Sequence, residues 1–371
     1  MPELVVLTEQ LLAPVPGGTG RYTRELAAAL AAAPPDGWTV TGVTARHRDL
    51  APAAIPGVAG PRGLPLPRRA LTLAWERGLP LWPGGDVLHA PTPLAPASAK
   101  RGRALVVTVH DTVPFTHPET LTPRGAAWHR AVIRRATRRA DAIIVPTAAV
   151  AAELAEHAPG PAPVHVVGHG VAEALRVPAA EVDMPPAYVL AVGTREPRKG
   201  LDVLVEAVAG LDVPLVLAGP PGWGAVDLTA LAERHGLPPD RLRVLGRITD
   251  AELATVLARA TVLAAPSRAE GFGLPVLEAM AAGVPVVHSD APALVEVAGG
   301  AGISVAAADP SGWTSALRSV IESPDQRAAM AAAGRARAAH FTWRAAAEAV
   351  WAVHVHLYAR RHSTGGKFTR W

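Results

Sequence analysis

The chain has 371 residues, 49% of them hydrophobic, which at about 100–200 residues per domain predicts two domains with separate cores and excludes wholesale disorder. It has no cysteine, which excludes a disulfide framework, thiolate metal ligands and a cysteine nucleophile, and fits a reducing cytoplasm. The net charge is only +4, from 36 basic and 32 acidic residues, and it rests on arginine because just three lysines occur, at 100, 199 and 367.

In chain order, the start Met1-Pro2-Glu3 lacks the basic flank and apolar core of a signal peptide, and no apolar run reaches the roughly 18 residues of a membrane span. Short runs rich in Val, Leu and Ile predict strands over 4–7, 40–43, 87–89, 104–110, 142–145 and 164–167. A helix is expected over 21–33 and another over 125–140, whereas the Pro/Gly-rich segment 51–69 reads as a long loop leading into an amphipathic turn. A second series of strands follows over 188–192, 214–218, 243–245, 261–265, 285–288 and 303–305, with helices over 203–208, 250–260 and 313–322. The strands lack polar alternation, as expected of strands buried on both faces, so each series predicts a parallel, helix-covered, doubly wound α/β domain. Prolines 178, 185 and 186 mark 173–187 as a linker between a first domain over 1–172 and a second over 188–341. A last helix over 344–359, within a 342–371 segment, closes the second domain or crosses back to brace the first.

The densest chemistry lies in the stretch from Pro266 to Pro285, where a strand runs into a loop with Glu270, Gly271, Phe272 and Gly273 and then into a helix opening near Leu274. Pro275 sits in the first helical turn, where its missing N–H costs nothing, and such a helix start offers unpaired N–H groups to an anion. Glu270 and Glu278 are expected to flank a phosphate-sized space, where carboxylates suit sugar and ribose hydroxyls better than phosphate. From spacing alone, a capped helix with a solvated Glu278 is the competing reading.

The Glu-x7-Glu pattern, set in Glu-Gly-Phe-Gly-Leu-Pro-x-Leu-Glu-Ala-Met-Ala-x-Gly-x-Pro-Val, resembles the signature of GT-B retaining glycosyltransferases of family 4. Other segments resemble that family in the expected order: Gly17-Gly18-Thr19-Gly20 opening the first helix, His110-Asp111 at a strand end, and 139–147 before the inter-domain region. Further on, 192–200 (with Thr194, Arg198 and Lys199) resembles its diphosphate loop, and 245–253 (with Ile248) its base-recognition turn. The resemblance implies two Rossmann-like domains facing a deep cleft, the first binding the acceptor and the second the nucleotide sugar. It implies that Gly17 and Gly18 approach the donor and that His110 lies beside the reacting sugar. Alone, the glycine loop reads equally as a tight turn, and a strand-end histidine is more often structural. Glu270 is implied to contact the transferred sugar and Glu278 the ribose, with Gly271, Phe272, Gly273 and Leu274 completing the donor loop. Asp111 is expected to orient its loop.

Arg198 and Lys199 are the strongest catalytic candidates, because a departing nucleoside diphosphate develops negative charge that two fixed cations stabilise. Asp-x-Asp is absent, which removes the usual metal–diphosphate bridge of the other large glycosyltransferase fold and predicts a metal-independent reaction with no cofactor. Family relatives with Arg directly after the glycine differ from this chain, which has Thr194 there and Arg195 one position later.

Six arginines, at 124, 130, 134, 135, 138 and 139, occur with no acidic residue between 124 and 139. On a helix Arg130, Arg134 and Arg138 align at four-residue spacing with Arg135 beside them, near Trp128, Val132 and Ile133. That face reads either as a solvated surface or as a docking site for an anionic membrane or lipid-phosphate acceptor. With 4% aromatics and no recognition motif, nucleic acid is not expected. The expectation is a cytoplasmic enzyme, peripheral on the inner face of the cell membrane, moving a hexose from GDP-mannose to a glycan or lipid-linked acceptor. UDP-sugars are the next donors, and a non-catalytic nucleotide-sugar-binding protein is the alternative of another class.

Overall fold

The computed structural model describes residues 1–362 except 80, 179, 223 and 225; Lys367 lies outside the described residues. The chain divides into two compact units: Met1–Phe115 and Arg124–His169 with the terminal helix Trp343–His362, and Thr116–Pro123 with Gly170–Thr342.

Up to residue 169 the elements are β1 (Glu3–Leu7), α1 (Gly17–Ala32), β2 (Thr39–Thr44), β3 (Ala59–Gly63), α2 (Arg68–Glu76), β4 (Val87–Ala90), β5 (Ala104–Thr108), α3 (Val113–Thr116), α4 (Pro123–Arg139), β6 (Ala142–Val145), α5 (Ala148–His157) and β7 (Val164–Val166). The strands form one parallel sheet ordered β3-β2-β1-β4-β5-β6-β7. Successive side chains of a strand point to opposite faces, so Leu4 and Val6 join the layer of Leu26 and Leu30 while Val5 and Leu7 join that of Trp75 and Ile133. This two-sided burial is the reason the strands carry no polar alternation.

Two expectations need correction here. The sheet has seven strands rather than six, because residues 59–63, expected as loop, pair with β2 through Thr41–Ala59, Val43–Arg62 and Thr44–Gly63. Ala-Gly-Pro-Arg-Gly has no strand period, and proline is tolerated because this strand lies at the sheet edge. The amphipathic turn after it is a nine-residue helix, α2, that buries Leu71, Ala74 and Trp75.

In the second unit, β8 (Val189–Val192), α6 (Leu201–Ala209), β9 (Leu215–Ala218), α7 (Leu228–His235), β10 (Leu242–Gly246), α8 (Asp250–Ala258), β11 (Val262–Ala265), α9 (Leu274–Ala282), β12 (Val286–Ser289), α10 (Pro292–Ala298) and β13 (Ile303–Val305) alternate, followed by α11 (Pro310–Glu322) and α12 (Pro324–Ala338). Its six parallel strands are ordered β10-β9-β8-β11-β12-β13. Both sheets therefore follow the doubly wound order in which the chain lays three strands outward and then returns to the other side of the first, leaving a crevice at the carboxyl ends of the two strands where the order reverses. Among the described residues of the segment 173–187 the one regular element is a 3-10 turn, Glu173–Leu175, and Leu175 and Met184 are buried in the core of the second unit.

The terminal helix α13 (Trp343–His362) belongs to the first unit, where Trp343, Ala346, Val350, Trp351 and Leu357 join the core layer of α1. The Trp351 indole N–H donates to the Leu30 carbonyl at 3.0 Å and the ring meets Trp38 edge-on at 5.2 Å. Burial of each large apolar side chain is worth about 1.5–3 kcal/mol, so this helix is held by packing rather than by its weakly periodic sequence. No helix among the described residues is long and apolar enough to cross a membrane.

Candidate functional site

The reversal point of the second sheet is where the sequence motifs converge. β8 ends at Val192, and the chain passes through Gly193 and Thr194 to a tight turn, Pro197–Lys199, before Gly200 caps the start of α6. Neighbouring β11 ends at Ala265 and feeds the loop that carries Ser267, Arg268 and Glu270 to the start of α9. Two glycines make this approach possible. Gly200 has φ +64°, and a Cβ there would stand 2.1 Å from the Pro266 carbonyl oxygen. Gly273 has φ +90°, and a Cβ there would stand 2.3 Å from Leu294 Cδ2. A side chain at either position would be strained in backbone, and at Gly200 it would also push the two loops apart.

Between the loops lies a carboxylate caged by cations. The Lys199 ammonium donates to Glu270 Oε1, the Arg198 guanidinium donates to Glu270 Oε2 at 3.1 Å, and the Ser267 hydroxyl donates to Oε1 at 2.8 Å. Arg198 also donates to the Ala269 carbonyl at 2.8 Å and lies 3.7 Å from Glu196 Oε2. Glu196 in turn accepts the Thr194 hydroxyl at 2.8 Å. Burial pushes the Glu270 carboxyl upward, but Lys199, Arg198 and the hydrogen bonds from Lys199 and Ser267 outweigh it and hold the pKa at about 2. Glu270 is therefore ionised at neutral pH and accepts hydrogen bonds only.

A cavity opens beside this cluster, lined by Gly193, Thr194, Arg195, Lys199, Ser267, Glu270 and Gly273. Arg195 contributes a feature the sequence left open: its Nε is buried with no hydrogen-bond partner among the described residues. The structure thus brings together Thr194, Arg198, Lys199, Glu270 and Gly273. Other candidates stand apart from the cavity wall. Glu278 is 3% exposed within α9, so the solvated alternative for it does not hold; it does not line this cavity. Phe272 turns its ring into the core, edge-on to Phe341 at 5.7 Å, and Leu274 and Ile248 pack half-buried on the same core. Gly271 lies in the loop between Glu270 and Phe272.

The first unit holds the remaining candidates. Gly17 and Gly18 are not a loop before the helix: they form the exposed first turn of α1, which begins four residues earlier than expected. Gly20 explains the local constraint, because a Cβ there would lie 2.4 Å from Pro16 Cβ. His110 follows β5, and its Nε2 lies 2.7 Å from the Pro91 carbonyl oxygen, an acceptor only, so Nε2 carries the proton. Burial lowers the His110 pKa, against smaller upward effects of the Pro91 carbonyl and Asp111, so the ring is neutral. Asp111 Oδ1 accepts the Val113 N–H at 3.2 Å. Among the described residues no group of three or more His, Cys, Asp or Glu side chains is placed to hold a metal ion.

The arginine face of α4 is partly committed to the fold. Arg135 donates to the Trp75 and Glu76 carbonyls at 3.1 and 2.9 Å, capping the end of α2, and Arg130 donates to the Pro114 carbonyl. Beside these arginines Val132 and Ile133 are buried, and the half-buried Trp128 donates its indole N–H to Glu76. Arg124, Arg134, Arg138 and Arg139 are exposed, with the Arg134 guanidinium 5.1 Å from the Phe115 ring centre.

The chain is similar to known proteins in both sequence and fold. Residues 177–337 match the family described as Glycosyl transferases group 1, and residues 16–175 the one described as Glycosyltransferase Family 4. The chain is 32% identical over 316 residues to the MMP alpha-(1->4)-mannosyltransferase of Mycolicibacterium hassiacum, covering 79% of this chain and 74% of that protein. It is 38% identical over 162 residues to the O-antigen chain mannosyltransferase B of Escherichia coli, an alignment covering 42% of each chain. Its fold is similar to that of sucrose-phosphate synthase from Thermosynechococcus elongatus, with a TM-score of 0.77 at 22% identity over 97% of this chain and 100% of that one.

Proposed function

Since the chain belongs to glycosyltransferase family 4, with two Rossmann-like domains of GT-B type, we propose that it moves a hexose from a nucleotide-diphosphate sugar to a glycan or lipid-linked acceptor with retention of anomeric configuration. The observation that carries this reading is the Arg198–Lys199–Glu270 cluster beside a cavity at the reversal point of the second sheet. As the glycosidic bond breaks, negative charge develops on the leaving diphosphate. Arg198 and Lys199 stand ready to stabilise it, and preorganised cations act most strongly on charge that exists only in the transition state.

Glu270 takes a different part. As an ionised carboxylate it has acceptors only, and it serves by accepting hydrogen bonds from hydroxyls of the transferred sugar. Retention then follows from same-face attack by the acceptor on an oxocarbenium-like sugar, with the leaving phosphate taking the acceptor proton. Donor binding draws Arg198 and Lys199 from Glu270 toward the diphosphate and frees carboxylate lone pairs for the sugar. Glu278 on the ribose, the base turn at Ile248, and the roles of Gly17, Gly18 and His110 follow the family resemblance, with neutral His110 acting by hydrogen bonding.

Mannose from GDP-mannose is the proposed donor, supported by the mannosyltransferase relatives and by the Gly193-Thr194-x-Glu196-Pro197-Arg198-Lys199 form of the diphosphate loop. The reaction is proposed to need no metal, with Arg198 and Lys199 supplying the positive charge that neutralises the leaving group. The exposed arginines of α4 are proposed to dock the enzyme on an anionic membrane surface. Calorimetry and turnover with a panel of GDP- and UDP-sugars, without added metal, test all but the last of these. GDP-mannose is expected to turn over fastest. Failure to bind any nucleoside diphosphate overturns the reading, and strict dependence on Mg²⁺ or Mn²⁺ overturns the metal-free mechanism.

A further inference from the structure

Arg268 lies between two residues of the site yet is itself directed away from the cavity. Its backbone N–H donates to the Arg198 carbonyl at 2.8 Å. Its guanidinium donates to the Pro197 carbonyl with one nitrogen and to Asp202 Oδ2 at 2.6 Å with another. Pro197 opens the turn that presents Arg198 and Lys199, and Asp202 stands in the first turn of α6 directly behind it. The loop that carries Glu270 is thus fastened to the cation-bearing turn by one backbone bond and a forked side chain. Arginine is suited to this because its planar fork reaches two acceptors in a fixed geometry.

We infer that Arg268 is a positioning residue of the transfer reaction, setting the separation between the diphosphate cations and the sugar carboxylate. The inference rests on the transferase reading above. Diphosphate binding draws on one loop and sugar binding on the other, so the clamp matters only when one ligand must span both. Nucleoside diphosphate alone engages the cation-bearing turn and is insensitive to the register of the second loop. Transfer needs the register, since a misplacement of about 1 Å costs about 10²-fold.

The test compares Arg268→Met, Arg268→Lys and Asp202→Asn with the wild type by two measurements. In the first, kcat for donor turnover is set against the Kd of GDP and of UDP. Arg268→Met is expected to lower kcat about 10- to 100-fold while the nucleotide Kd stays within about threefold, and Arg268→Lys, which still reaches Asp202, to recover part of the loss. A merely structural role lowers kcat, nucleotide affinity and melting temperature together, and that pattern overturns the inference, as does a kcat within about twofold of the wild type. In the second, amide hydrogen exchange is followed at Lys199, Gly200 and Arg268, whose N–H groups bond to Glu196, Pro197 and Arg198. Exchange there is expected to quicken about tenfold or more in Arg268→Met, with β8 unchanged. Unchanged exchange overturns the clamp even if the wild type transfers no sugar, an outcome that separately removes the transferase reading. Should Arg268→Met fail to fold, Asp202→Asn, which keeps the Pro197 bond, carries both measurements with a smaller expected effect.

Discussion

Replacing Lys199 by methionine keeps the length of the side chain and removes its charge from the centre of the site. Two consequences follow from the geometry. The Glu270 carboxylate keeps Arg198 at 3.1 Å and Ser267 at 2.8 Å but loses its ammonium partner, so its pKa rises from about 2 toward the ordinary carboxylate range. Both ends of the lost pair are mostly buried, at 16% and 12% side-chain exposure. Breaking such a pair costs about 3–5 kcal/mol when the remaining charge is left alone, and the two surviving partners bring the expected stability loss to about 1–3 kcal/mol. In the reaction, the leaving diphosphate loses one of two cations. A unit charge at about 4 Å under an effective dielectric near 20 is worth about 4 kcal/mol, and loss of one preorganised donor typically costs about 2.7–4 kcal/mol. The two figures agree on a fall in kcat of about 10²–10³-fold. The assay is release of nucleoside diphosphate at saturating donor, below the melting temperature of the variant. Lys199→Arg should recover part of the rate. A kcat for Lys199→Met within about threefold of the wild type refutes the assignment of Lys199 to the leaving group.

Three further outcomes are expected. Glu270→Gln should lower kcat about 10²-fold while leaving the affinity for free nucleoside diphosphate nearly unchanged, and azide should yield no glycosyl adduct; a trapped covalent adduct would make the carboxylate a nucleophile. Acid should destabilise the first unit through His89 and His354, whose rings lie 5.1 Å apart between β4 and α13. Burial lowers the pKa of His89 from 6.5 to about 3 and that of His354 well below 6.5, with a smaller push from His110 on His89 and from His89 on His354. The unfolded chain therefore binds protons first: stability is complete above pH 6.5 and falls toward pH 3, by about 1.4 kcal/mol per pH unit per histidine. His354→Met should flatten the fall in melting temperature between pH 6.5 and 4, and an unaltered profile speaks against this pair. On vesicles containing anionic lipid, the wild type should float and the Arg134→Glu, Arg138→Glu double variant should not; equal flotation removes the docking role of α4.

Sequence alone was sufficient where one local pattern carries one physical demand. Uninterrupted apolar runs read as strands buried on both faces, and twelve of the thirteen strands among the described residues lie where those runs fall. The Glu270 motif, with Arg198 and Lys199, reads directly from residue order, whereas the positive φ of Gly200 and Gly273 is seen only in the structure. What escaped that reading depends on partners far along the chain. The strand Ala59–Gly63 exists because β2 offers it an edge, not because Ala-Gly-Pro-Arg-Gly prefers to be extended. Gly17 and Gly18, weak helix formers, are helical because α1 continues into a packed core. Arg130 and Arg135 look like surface charges in a helical wheel, yet carbonyls 16 to 60 residues away take up their guanidinium groups. Arg268 reads as an ordinary loop arginine until folding sets it against Pro197 and Asp202, 71 and 66 positions earlier. Periodicity records how one element meets solvent and core, whereas the meeting of two loops depends on atoms that approach only after both sheets have formed, and tertiary structure alone decides it.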